Sequence, residues 1–321
     1  MPSLLSAYPG PPRFQYNGHM QTIVPSLTRR IPGVVYERER FTLSDGDFID
    51  LDWLRKPQQQ KLVVLTHGLE GDSHRHYIKG TAKLFHDNGF DVLAWNCRSC
   101  SGEMNRAFRL YNHGEIGDIG EVVTHALATK AYEQVVLVGY SMGGNISLKY
   151  ASVKGAQLPT AVKQVIAISA PVNLITSAPL LDLPRNRFYR NRFMKKLWAK
   201  ISYKAQQFPG RLDLSRRPQV RWWKDFDDAF SAPVNGYRDA DDFYTQASAI
   251  RFVDNLTIPA LILNAQNDPL LSAECFPHEL ARRMDNLFVE TPPLGGHVGF
   301  MLNGDLHTYA ERRALAFASG V

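Results

Sequence analysis

Ser141 stands in "VVLVGYSMGGN" (135–145), with Gly139 and Gly143 two residues to either side. An apolar, β-branched run leads into it, and "GGNISLKYASV" after it reads as a helix. Strand, sharp turn, helix is the context in which G-x-S-x-G holds a nucleophile, because side chains at the two glycine positions would clash inside the turn. The helix behind the serine presents backbone N–H groups and a partial positive charge to a developing oxyanion. A serine hydroxyl is a weak nucleophile near neutral pH, so it needs a base, and the base needs an acid to orient it. Asp268 follows the apolar run "ALILNA", and His297 lies in "PPLGGHVGF" after "LFVET". Each is ordinary alone: an Asp-Pro pair is usually a turn, and a histidine among glycines is usually a loop residue. Together they give the chain order Ser, Asp, His, each just past the carboxyl end of a strand, where open α/β sheets place their sites. We therefore assign Ser141 as nucleophile, His297 as general base and acid, and Asp268 as its orienter. His278, after Pro277 at a helix start, and His307, beyond the last loop, are weaker candidates for the base. Backbone N–H groups of Met142 and of Leu69, in "THGLEGDS", are the candidate oxyanion donors.

The elements that must carry these residues are visible as short apolar runs separated by helical stretches. The runs are 61–68, 91–96, 134–139, 164–169, 260–265 and 287–291, preceded by a hairpin around Asp45-Gly46. Nearly continuous apolar strands are expected where a parallel sheet is covered on both faces. This predicts an α/β fold: eight strands, mostly parallel, with helices on both faces. Ser73 is read as the N-cap, and Gly89 as the stop, of the helix between the first two of these runs. Residues 1–35 read as an irregular arm. No comparable strand occurs over 172–250, too long a stretch for a simple connection, so it is predicted to be a helical cap inserted between strands six and seven. The core is then 1–171 together with 251–321.

Composition sets the outer bounds. The 321 residues are 44% hydrophobic, enough for a large core, with a net charge of +6. The three cysteines, Cys97, Cys100 and Cys275, do not make a disulfide framework. The first residues lack a secretory pattern, and no window approaches the ~18 apolar residues that span a bilayer. A cytoplasmic enzyme is the expectation. Cys97 and Cys100 form C-x-x-C without the second pair that a metal site uses, and His74, His76 and Asp72 do not share a helix face, so no metal and no cofactor are expected. His113 and Asp118 form H-x4-D, with Asp118 read as a helix cap. No recognisable nucleic-acid-binding module is present. The basic segment 185–200, "RNRFYRNRFMKKLWAK", carries an apolar stripe of Tyr189, Phe193 and Leu197. It reads either as a helix docked with its charges in water, or as a lid whose basic rim makes weak contact with a membrane surface.

Six segments carry a wider resemblance: "NGHMQT" (17–22), "HGLEGDS" (67–73), "WNCRSCSGEMN" (95–105), "YNHGEIGD" (111–118), "GYSMGGN" (139–145) and "FYTQASAIRFVDNLTIPALILNAQNDP" (243–269). The sequence resembles the α/β-hydrolase superfamily and, within it, the YheT-like branch. The resemblance implies a serine hydrolase of carboxylic esters, often fatty acyl esters, and its charge relay falls on Ser141, Asp268 and His297. Where that family tends to have arginine-glycine-cysteine, this chain has Arg98-Ser99-Cys100. The expected reaction is hydrolysis of short- to medium-chain or lipid-like esters. An acyltransferase with an alcohol acceptor is the alternative enzyme, and a catalytically silent lipid-binding or scaffold protein is the alternative outside enzymes.

Overall fold

A computed structural model describes residues 3–320. The eight expected strands form one sheet: the hairpin β2 (Glu37–Thr42) and β3 (Phe48–Leu54), then β4 (Lys61–Thr66), β5 (Asp91–Trp95), β6 (Gln134–Tyr140), β7 (Val162–Ile168), β8 (Ala260–Leu263) and β9 (Leu287–Glu290). A ninth, two-residue strand, β1 (Ser3–Leu4), joins the edge beside β9. The order is β1-β9-β8-β7-β6-β4-β5-β3-β2, and only the β2–β3 and β3–β5 pairings are antiparallel.

Alternate residues along the strands feed two separate cores. Leu62, Val64, Val135, Leu137, Val165 and Ile262 face one of them, under α3 (Gly117–Thr129) and α4 (Met142–Lys154). Val63, Leu65, Val136, Val138, Ile166 and Leu263 face the other, under α2 (His76–Asp87) and α11 (Tyr309–Ala318). Burial on both faces explains why these strands read as unbroken apolar runs, each side chain contributing about 1.5–3 kcal/mol.

Three local expectations are corrected. The arm is not irregular throughout, because α1 (Gly18–Thr28) lies within it, capped by the Asn17 side chain. Ser73 does not cap α2: the helix starts at His76, and the Ser73 hydroxyl bonds the buried Asp52 carboxylate instead. Asp118 lies inside the first turn of α3 rather than capping it. The Glu115 carboxylate accepts the Gly117 and Asp118 N–H groups, which frees Asp118 to bind Arg98 through two 2.8 Å bonds.

Between β7 and β8 the chain holds no strand. It forms the short α5 (Leu174–Ser177), the long α6 (Arg187–Gln207), and α7 (Trp223–Phe226), α8 (Ala232–Val234) and α9 (Ala240–Ala247). These elements build two small cores of their own, one around Trp223, Phe243 and Tyr244 and one around Phe226, Phe230 and Ile201. The reading of 185–200 as a helix docked with its charges in water is corrected at Lys200, which is buried, as is Lys204 one turn further along α6. Lys200 Nζ lies 2.8 Å from Glu70 Oε1 and over the Tyr111 ring, while Lys204 Nζ donates to the carbonyls of Asn105 and Ala107 at 2.6 Å. Two lysines one helical turn apart thus pin α6 to the loops after β4 and β5. The last short helix, α10 (His278–Ala281), precedes β9.

Candidate active site

The carboxyl ends of β6, β8 and β9 lie along one edge of the sheet, and the three candidate residues meet there. Ser141 sits between β6 and α4 at φ 54°, ψ −122°. That left-handed conformation costs a non-glycine residue on the order of 1–3 kcal/mol and is held by the packing around it. The packing is tight. A Cβ on Gly139 would lie 2.1 Å from the Gly143 carbonyl, and one on Gly143 would lie 2.2 Å from the Thr66 carbonyl. Both glycines are required for the bend to exist.

His297 Nε2 is 2.8 Å from Ser141 Oγ, and His297 Nδ1 is 2.8 Å from Asp268 Oδ2. The other Asp268 oxygen accepts the Leu270 N–H, which fixes the carboxylate. Asp268 and His297 are both buried. An Asp–His pair in this arrangement holds the imidazole with Nε2 facing the hydroxyl and stabilises the imidazolium once a proton arrives. His278 bonds Thr291 and His307 bonds Glu311, so neither weaker candidate joins this chain.

The loop carrying His297 is anchored by residues that the sequence reading did not single out. Gln21, buried on α1, accepts the Gly295 N–H and an Asn267 side-chain N–H. Thr22 Oγ1 accepts the His297 N–H, Asn267 Oδ1 accepts the Gly296 N–H, and Ser169 Oγ accepts the Val298 N–H. Gly296 and Val298 both have positive φ, so the loop depends on these outside bonds for its shape. The motif "NGHMQT" contains Gln21 and Thr22, but nothing in its residue types revealed what they hold. We expect Gln21→Ala to lower kcat by about 10- to 100-fold with little change in KM, since a displacement of about 1 Å of a catalytic group costs on that order. Kinetics with a melting curve as control check this, and a loss confined to KM would refute the positioning role.

Among the described residues, the N–H groups of Leu69 and Met142 have no internal acceptor. Leu69 and Ser141 line the same cavity, a mostly apolar space walled largely by the helices between β7 and β8. Phe193 and Leu197 of α6, two of the three stripe residues read from the sequence, line it; the third, Tyr189, bonds His19 instead. The cavity also holds His113, which burial pushes down to about 4, and Asp227, which burial pushes up to about 6 and which accepts the Tyr244 hydroxyl at 2.7 Å. His113 and Asp118 serve different places, one on the cavity wall and the other on Arg98.

Cys97 and Cys100 are free thiols, and burial pushes both above the ordinary thiol range. Among the described residues no group of three or more His, Cys, Asp or Glu is arranged to hold a metal ion, and no helix is long and apolar enough to cross a membrane. Ser99, where the resembling family has glycine, adopts φ 62°. Its hydroxyl exchanges bonds with Asn105, so a side-chain contact holds the left-handed turn.

Comparison with known proteins agrees with this architecture. A family model described as the alpha/beta hydrolase fold matches residues 61–304. YheT of Escherichia coli (strain K12), which carries the name of an esterase, is 32% identical over 298 residues, covering 91% of this chain and 86% of its own length. Phospholipase ABHD3 of Mus musculus is 27% identical, covering 88% of this chain and 70% of its own. In fold, the Pyrococcus furiosus esterase Pf2001 superposes with a TM-score of 0.58 at 15% identity, covering 91% of this chain and 94% of that one. The breadth of the family match and the identity shared with YheT place the chain: it belongs to the α/β-hydrolase family, in the YheT-like branch.

Proposed function

We propose that this carboxylic ester hydrolase works through an acyl-enzyme on Ser141. His297 takes the hydroxyl proton as the oxygen attacks the ester carbonyl. Asp268, bonded to Nδ1, stabilises the imidazolium that results. The carbonyl oxygen, now negative, is received by the Leu69 and Met142 N–H groups, the second of which sits at the positive end of α4. His297 then protonates the leaving alkoxide, and in the second half-reaction it deprotonates water to free the acid. The observation that supports this most strongly is the unbroken chain from Asp268 through His297 to Ser141, with both links at 2.8 Å, opening onto an apolar cavity.

The segment between β7 and β8 acts in this reading as a cap, and the cavity beneath it receives the acyl chain. Its apolar walls suit short- to medium-chain acyl groups or lipid-like esters, the chemistry that the names of the esterase and phospholipase relatives also indicate. The test is hydrolysis of p-nitrophenyl esters from acetate to palmitate, with labelling of Ser141 by a fluorophosphonate. Hydrolysis in the short-to-medium range with Ser141 labelled supports the reading, and an unlabelled Ser141 in an active enzyme would overturn it. Leu197→Trp, which fills part of the cavity, should move the optimum to shorter acyl groups. We expect it to lower kcat/KM for the longest accepted ester by about tenfold or more, because each methylene in an apolar pocket is worth roughly that much. An unchanged chain-length profile would place the acyl chain elsewhere.

A further inference from the structure

The cavity that Ser141 and His297 line is not apolar throughout. One helical run, from α7 through α8, carries Asp227 and Ser231, with Asn235 just beyond its end, and all three line the cavity. They recur every fourth residue and so share a face. The apolar residues of the run, among them Ala229, Phe230 and Val234, go into a small core with Ile201 and Leu110 instead. The polar stripe thus borders an internal space, the reverse of an ordinary surface helix. Asp227–Ser231 is moreover a π turn, closed by a bond from the Ala232 N–H to the Asp227 carbonyl. Such turns are rare and are frequent at functional sites.

These groups are acceptors short of donors. The Asp227 carboxyl is buried, and among the described residues no cation pairs with it; Lys224, on the same run, goes to Asp228 and Asp241. It accepts the Tyr244 hydroxyl at 2.7 Å, and the Ser231 and Trp223 side chains also act on it as donors. Burial raises it to about 6, so at neutral pH it is a carboxylate and only accepts. Asn235 Nδ2 donates to the Ser231 carbonyl at 2.9 Å, which fixes the orientation of the amide and leaves Oδ1 buried with no hydrogen-bond partner. Buried acceptors are rarely left unpaired. Asn112 and Ser177, also on the cavity wall, already have partners. What the stripe lacks is a donor from a bound molecule. A cation would have to shed its whole hydration shell in a mostly apolar space, whereas a hydroxyl gives up far less. A hydroxyl can also donate to Asn235 or Asp227 while it accepts from Ser231.

We propose that Asp227, Ser231 and Asn235 form a polar station in the acyl cavity that binds a hydroxyl group on the acyl chain, so that the enzyme prefers esters of hydroxylated acids. This rests on the reading of the cavity as the place of the acyl chain. The station sets selectivity and takes no part in the bond changes at Ser141. In a wholly apolar cavity a hydroxyl on the chain weakens binding, because it loses water and gains no partner. Here the sign is reversed, since the hydroxyl meets acceptors that are otherwise unpaired.

Binding separates this proposal from catalysis. The probes are N-methyl amides of octanoic acid, unsubstituted or with one hydroxyl placed in turn at each carbon from the third to the eighth, titrated calorimetrically into the intact protein. We expect the amide whose hydroxyl reaches the station to bind about tenfold or more tightly than the unsubstituted one, because a hydrogen bond to a charged group is worth about that factor. The advantage should fall to within about threefold in Asn235→Leu and in Ser231→Ala, each of which removes one of its partners. Both residues are half-buried, and Ser231→Ala deletes a single oxygen, so the second variant remains informative if the first does not fold. A hydroxyl that weakens binding or leaves it unchanged at every carbon, or an advantage that survives both substitutions, would overturn the station. Tighter binding of an amino group than of a hydroxyl at the same carbon would overturn the hydroxyl in favour of a cation at Asp227. The titration reads no turnover. An unlabelled Ser141 in an active enzyme would therefore strike the acyl-enzyme and not this ranking, while equal affinities would strike the station and not the acyl-enzyme.

Discussion

Ser141→Ala is expected to lower kcat/KM on a p-nitrophenyl ester by roughly 10³-fold or more, because the members of a nucleophile–base–acid set act as a unit. The substitution removes only the hydroxyl. His297 keeps its bond to Asp268, and Leu69 and Met142 keep their free N–H groups, so what activity remains reports the oxyanion donors and binding alone. The backbone at Ser141 stays in its left-handed turn because the crowding that dictates it comes from Gly139, Gly143 and the Thr66 carbonyl, none of which changes. Melting temperature should therefore stay within a few degrees of the parent. Residual activity within about tenfold of the parent would remove Ser141 from the mechanism. A loss of activity accompanied by a collapse of stability would show that the hydroxyl's role is structural.

How much of this was legible in the sequence follows from where each residue's constraint lies. The bend at Ser141 is encoded locally: glycines two residues to either side, a strand before and a helix after. The parallel strands are legible because both their faces are buried, which removes the alternation a half-exposed strand would show. α1 escaped because its residues argue against a helix one by one: Gly18 opens it, Pro25 lies inside it, and Ile23, Val24, Thr22 and Thr28 are poor formers. It is helical because the Asn17 cap and the packing of Gln21 against the His297 loop override propensity, and that loop is more than 270 residues away in the chain. The two-residue β1 is too short to carry a pattern. The inward turn of Lys200, and of Lys204 beyond the basic segment, is hidden for a related reason. A lysine on a basic helix looks solvated until the loops that bring Glu70, Asn105 and Ala107 beneath it are in place.

The same distance hides the residue on which we expect stability to depend most. Arg98 is fully buried. Its guanidinium bonds Asp118 twice at 2.8 Å, Asp47 at 2.7 Å and Asp45 at 3.0 Å, joining the β2–β3 hairpin, the loop after β5 and the start of α3. Burial alone would push Asp47 up. Bonds from the Asn105 side chain and from the N–H groups of Arg106, Ala107 and Phe48 outweigh it and hold this carboxyl at about 2. Arg98→Met should cost about 3–5 kcal/mol, because it leaves the carboxylates of Asp47 and Asp118 buried without their main counter-charge. Arg109, half-exposed and 3.0 Å from Asp118, compensates only that one. Chemical denaturation at neutral pH measures the cost. The electrostatic origin has a signature of its own. The triple variant Arg98→Met, Asp47→Asn, Asp118→Asn should recover much of the loss, since removing both signs of a buried cluster leaves no charge uncompensated. No recovery in the triple variant would mean that Arg98 acts through the packing of its side chain, and that the charges around it are bystanders.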